Sequence, residues 1–77
     1  MKRYIITDIW YDDRPVYVAA RPGWMRKADG TFARDGSFKG DPEWCFKREF
    51  ALEFKSHRAA ARVRNLCTSA VIEEVEV

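Results

Sequence analysis

The residues with the greatest chemical reach in this sequence are arginines set among aromatic side chains. The run RPGWMRKADGTFAR places Arg21, Arg26, Lys27 and Arg34 around Trp24 and Phe32. Guanidinium groups grip phosphates or carboxylates as forks, while aromatic rings stack on bases or bury in a partner surface. The combination therefore suits contacts to nucleic acid or to a protein face. The opposing reading is that Trp24 and Phe32 anchor a loop on the core and the cations keep it solvated. A net charge of only +2 and the lack of a recognised single-strand motif favour that bland reading for the segment. A second pair, Arg58 and Arg62 in HRAAARVR, stands one helical turn apart. It suits two successive phosphates or a partner's carboxylates, and equally a wet helix face.

Catalytic chemistry finds less to work with. His57 is the only histidine, and no GxSxG-type signature sets a nucleophile beside it, so it reads as a surface or capping residue. Asp12-Asp13 and Glu73-Glu74 are adjacent pairs that diverge along an extended chain, which suits turns and solvated edges better than acid-base work. Four scattered glycines form no phosphate-cradling loop. Cys45 and Cys67 lie in no CxxC pair, which argues against zinc. They read as two small core thiols, with a disulfide between them left open. The expectation is a protein that is not an enzyme and carries no metal or cofactor.

The elements that must position the arginines follow from periodicity. Tyr4 to Tyr11, YIITDIWY, is a strand with bulk on both faces, as a central strand requires: Ile5, Ile9 and Tyr11 on one side, Tyr4, Ile6 and Trp10 on the other. Asp12-Asp13-Arg14-Pro15 turns the chain, and VYVAAR returns as an antiparallel partner until Arg21-Pro22-Gly23 ends or kinks it. Residues 22–42 then carry Asp29-Gly30, Asp35-Gly36 and Gly40-Asp41-Pro42, an irregular excursion containing a short hairpin WMRKADGTFAR with flexible tips.

Glu43 to Phe54 alternates as a strand, with Trp44, Phe46, Phe50, Leu52 and Phe54 on one face; Arg48 breaks that face, and a helical reading stays open. Ser56 offers an N-cap for a helix from His57 to Cys67. Its phasing seats Ala59, Ala60, Val63, Leu66 and Cys67, turns Arg58, Ala61, Arg62 and Asn65 outward, and leaves Arg64 at the border to pair with a strand carboxylate. Thr68 and Ser69 end it, and AVIEEVEV supplies a last strand with Glu73, Glu74 and Glu76 toward water. The sum is one α+β domain over residues 1–77: a small antiparallel sheet of about four to five strands with one helix on one face, ordered β-β-(β-hairpin)-β-α-β.

Seventy-seven residues leave room for one core, and 47% hydrophobic with 14% aromatic content can fill it. No apolar run approaches a membrane span and MKRYIITDIWYDD has no signal-peptide pattern, so a soluble, cytoplasmic protein is expected. Charge is unevenly spread. Twelve basic residues face six acidic ones between Arg14 and Arg64, a net +6, against −1 in residues 1–13 and −3 in residues 65–77. Whether the asymmetry survives folding decides if a positive patch exists. Any of Trp10, Tyr17, Trp24, Phe38 or Trp44 left outside would be an interface anchor, and edge strands invite a second copy.

The opening KRYIITDIWY, the FKSHRAAARVRN helix after a strand and the closing strand AVIEEVEV together resemble, in layout, small proteins of phages and mobile elements, including anti-CRISPR inhibitors. That resemblance rests on no diagnostic motif and transfers no residue. It implies a host-cytoplasmic protein that occludes a bacterial macromolecular complex. A small DNA- or RNA-binding domain using the hairpin and the helix face is the second expectation, and a self-associating structural or assembly protein, homodimeric or larger, the third.

Overall fold

In the computed structural model, residues 1–10, 13–34, 40, 42–67 and 69–77 are described. The expectations for Tyr11, Asp12, Asp35-Gly36, Phe38, Asp41 and Thr68 fall outside them. The elements are β1 (Lys2–Trp10), β2 (Arg14–Ala20), β3 (Trp24–Arg26), β4 (Phe32–Arg34), β5 (Glu43–Cys45), α1 (His57–Arg64) and β6 (Val71–Glu76), with a 3-10 turn at Arg48–Phe50 before the helix. Four strands form one antiparallel sheet in the order β5-β2-β1-β6, and β3 and β4 form a separate two-stranded ribbon. The domain is the small α+β fold that the pattern predicts.

Bulk on both faces of β1 has the anticipated cause in its first half only; Ile9 and Trp10, expected on covered faces, stand exposed beyond it. Ile6 points into a core under the helix, with Val18, Leu52, Phe54, Ala60, Val63 and Ala70. Ile5 points to the opposite face, where Tyr17 and Ala51 join it and Cys45 and Val75 close the rim. Both isoleucines are buried because β1 lies between β2 and β6 and is covered from both sides. The first turn needs a left-handed residue at Asp13, φ 58°, a conformation that aspartate tolerates better than most side chains.

The largest departure from expectation is at residues 43–54. The single strand expected there is three pieces. Pairing with β2 stops at Cys45, whose thiol donates to the Lys47 carbonyl at 3.4 Å, and the chain tightens into the 3-10 turn through Phe50 N–H to Lys47 O. Arg48, the residue that interrupts the apolar face, is therefore released to pair with Glu73 on β6. Phe46 and Phe50, expected inside, stand exposed, while Leu52 and Phe54 are buried.

Residues 51–54 then run beside β1. Tyr4 and Phe54 exchange both backbone hydrogen bonds, at 2.9 and 2.8 Å, and Leu52 N–H donates to Val18 O at 2.8 Å. The β1–β2 ladder itself extends only from Thr7↔Tyr17 to Trp10↔Arg14. The segment thus occupies the fork where the first two strands diverge, and it is tied to both.

Ser56 caps α1 as expected, its hydroxyl accepting from Ala59 N–H at 3.1 Å. Ala60 and Val63 are buried, with Ala59 and Cys67 beside them. The helix is shorter than its periodicity suggested. It closes at Arg64 with two tight turns, Leu66 N–H to Val63 O and Cys67 N–H to Arg64 O, so Leu66 swings out to 54% exposure instead of seating in the core. Arg64 finds a backbone carbonyl rather than a carboxylate: its Nε donates to Ala70 O at 2.8 Å, joining the helix end to the start of β6. Among the described residues no helix is long and apolar enough to cross a membrane.

Cys45 and Cys67 are thiols, each half-buried. Burial pushes the Cys45 thiol above its ordinary value, outweighing the opposing backbone hydrogen bond with Lys47. Since the thiolate is the reactive form, iodoacetamide should label Cys45 at pH 7.5 more slowly than an unstructured cysteine peptide, with the rate still climbing above about pH 8.5. Mass spectrometry of the labelled peptide reads this out. Truncating Phe54 to Ala should cost about 3–5 kcal/mol, much of the roughly 4–12 kcal/mol stability expected for this length. Ser56→Ala should cost about 1 kcal/mol. Urea midpoints measure both.

Candidate binding surface

The hairpin is shaped by two turns that its sequence specifies. Arg21-Pro22-Gly23-Trp24 closes with Trp24 N–H to Arg21 O at 3.0 Å, proline setting the first central angle and Gly23 the positive φ of 82° at the second. This ends β2 and redirects the chain into β3. At the tip, Gly30 N–H donates to Lys27 O and Lys27 N–H to Thr31 O, with Gly30 at φ 88°. Asp29 Oδ1 accepts from both Thr31 N–H at 3.0 Å and the Thr31 hydroxyl at 2.6 Å.

The ribbon register is Trp24↔Arg34, Met25↔Ala33 and Arg26↔Phe32. Because side chains alternate across a strand, Trp24, Arg26, Phe32 and Arg34 all fall on one face. Each cross-strand pair is an arginine and an aromatic ring in contact: Arg34 Cζ lies 4.8 Å from the Trp24 centroid, and Arg26 Cζ 4.9 Å from that of Phe32. Arg21 lies over Phe54 at 5.2 Å. Beyond these stacks, Arg21, Arg26, Lys27 and Arg34 form no ion pair among the described residues. Glu43 anchors the ribbon to β5 by accepting from Arg26 N–H at 3.3 Å, a backbone contact that leaves the guanidinium unneutralised.

Arg21, Trp24, Phe32 and Leu52 line an open cleft of about 360 Å³. Leu52 was expected only as core. No periodicity signals its second role, which depends on the chain breaking at Cys45 and re-entering beside β1. A second cleft, about 460 Å³, opens under the ribbon, where Lys27, Asp29 and Glu43 mix both charges.

Arg58 and Arg62 are exposed on the outer side of α1, as phased, without an ion pair among the described residues. The helix packs over β1 and β6, whereas the ribbon leans on β2 and β5. The eight arginine, lysine and aromatic candidates thus divide into six at the ribbon and two on the helix, at different halves of the sheet. His57 is exposed, edge-on to Tyr4 at 5.7 Å. Of the proposed aromatic anchors, Tyr17 is buried, and Trp10 and Trp44 stack on one another at 5.2 Å.

The three C-terminal glutamates gather at the far edge. Glu74 pairs with Lys2, Glu76 with the N-terminal amine and Glu73 with Arg48. The sequence asymmetry therefore becomes a spatial one: an acidic edge that pairs internally, and a ribbon whose cations do not. Comparison with known proteins gives no match to a family model, a curated protein or a solved structure.

The tip carries its own pH dependence. The Thr31 hydroxyl, and then its N–H, hold the Asp29 carboxyl below the ordinary aspartate value. A depressed carboxyl stabilises the turn above its unfolded value, and that contribution disappears as pH falls through the folded one. The Thr31 amide resonance should titrate with a midpoint below about 3.9, moving back up in Thr31→Val.

Proposed function

We infer that the chain is a small non-enzymatic binding protein whose ribbon face docks on an acidic surface of a protein complex and blocks that surface by occupancy. The observation that carries this reading is the face itself: two arginines stacked on Trp24 and Phe32 and left without carboxylate partners among the described residues. Stacking orients the guanidinium groups while leaving their terminal N–H groups to donate to carboxylates, and tryptophan and arginine are the residues that dominate interface energies. The resemblance in sequence layout to phage-encoded inhibitors suggests a bacterial complex as the target and the host cytoplasm as the setting. Occlusion requires no chemistry beyond the fit.

Nucleic acid is the second reading, favoured by the exposed cations Arg21, Lys27, Arg34, Arg58 and Arg62. Against it, Arg34 and Arg26 already occupy a position on each ring where a base would stack. Self-association through β6 is disfavoured on its edge: antiparallel pairing of VIEEVE with a copy centred on Glu73 and Glu74 sets like charges opposite each other.

Immobilised wild-type protein, an Arg21→Glu/Arg34→Glu variant and an Arg58→Glu/Arg62→Glu variant should be compared for capture from bacterial lysate by quantitative mass spectrometry. The ribbon variant should lose its enriched complex by about tenfold or more, the loss of about 1.4 kcal/mol or more expected for central interface arginines. The helix variant should retain it. Undiminished capture by a folded ribbon variant sinks the reading. So does micromolar binding to generic single-stranded or duplex DNA that weakens steeply with salt, which would transfer the function to nucleic acid.

A further inference from the structure

The geometry points to the Arg21–Trp24–Phe32–Leu52 cleft as the receptor for one large apolar side chain of the partner, presented between acidic residues. This inference rests on the acidic-surface reading and specifies what the surface must contain. The cleft's volume of about 360 Å³ lies at the lower end of the range for ligand sites. Three of its four lining residues among the described ones are apolar or aromatic, and Leu52, the most enclosed, contributes only hydrocarbon.

That lining discriminates between occupants. A nucleobase entering the cleft would carry polar edge atoms against Leu52 and the rings, with little but Arg21 and the indole N–H to satisfy them among the described residues. An apolar side chain needs no partner there and gains from every Å² removed from water. Arg21 lines the cleft and Arg34 lies over Trp24, one of its walls, while Arg26, over Phe32, belongs to the second cleft, so positive charge stands at two points beside an apolar slot. Carboxylates on either side of the inserted residue meet those charges, and lysine or arginine there would be repelled. The fitting partner is thus an acidic segment with an embedded Phe, Leu or Trp, rather than a uniformly acidic patch.

Acetylated, amidated pentapeptides test this: Glu-Glu-Phe-Glu-Glu, Glu-Glu-Ala-Glu-Glu and Lys-Lys-Phe-Lys-Lys, with oligo-dT as the nucleic-acid probe, each titrated into isotope-labelled protein followed by NMR. The acidic Phe peptide should saturate shifts of the Trp24 indole and the Leu52 methyls. It should bind about tenfold or more tightly than the acidic Ala peptide, as burial of one aromatic side chain implies. Phe32→Ala, which removes a 40%-exposed wall and so spares the core, should abolish that difference. Equal binding of the two acidic peptides without movement at Leu52 would overturn the cleft inference yet leave acidic docking intact. Preference for oligo-dT or the basic peptide, or binding of none of the probes, would overturn both. Shifts at Trp24, Leu52 and β6 that grow with protein concentration alone would assign the cleft to a second copy and likewise overturn the inference.

Discussion

Two backbone hydrogen bonds between Tyr4 and Phe54 hold together what the rest of the domain requires. They fasten residues 51–54 into the fork between β1 and β2 and satisfy polar groups that β2 leaves unpaired as it diverges. Once Phe54 is seated, Ser56 is placed to start the helix, Ala60 and Val63 close over Ile6, and Leu52 becomes one wall of the cleft. The binding face is therefore not an appendage. Its ribbon comes from turn chemistry, but the depth beside it comes from a segment pinned to the central strand.

The reach of the sequence is clearest where local physics decides. Bulk at Ile5 and Ile6 anticipates a strand covered on both faces there, though not at Ile9 and Trp10; Pro22-Gly23 and Asp29-Gly30 anticipate the ribbon, and Ser56 anticipates the cap, because each signal acts within a few residues of its effect. The segment from Glu43 to Phe54 was illegible for the opposite reason. Its alternation is genuine, but the Arg48 partner lies on β6 and the Phe54 partner on β1, so tertiary contacts override the periodicity. Leu66 and Arg64 misled in the same way: the helix stops where two tight turns and the Ala70 carbonyl make stopping favourable, and neither is visible in a helical wheel.

Of the candidate site, the ribbon residues were legible as a cluster because their positions follow from register alone. Their pairing was not. The sequence shows arginines near aromatics; only the register reveals that each ring has its own arginine and that all four side chains share a face. Leu52 stayed hidden because a residue that is both core and cleft wall looks like any other core leucine. The segregation of charge is similarly a product of topology, since pairing β6 with β1 sets the C-terminal glutamates beside Lys2 and the N-terminal amine, which pair with them.

The same pairing has a consequence for how the domain assembles. Lys2 faces Glu76, and Tyr4 is flanked by Glu74 on one side and Phe54 on the other. The first half of the central strand thus has its neighbours far away in sequence, and only the β1–β2 turn, the ribbon and α1 can form from local contacts. Closing such long loops costs entropy before packing returns it, which puts the domain among slow, topology-limited folders despite its length. During that interval the ribbon, which needs only its own two turns, is the one part of the binding surface able to form early, while the cleft waits for Leu52 to arrive.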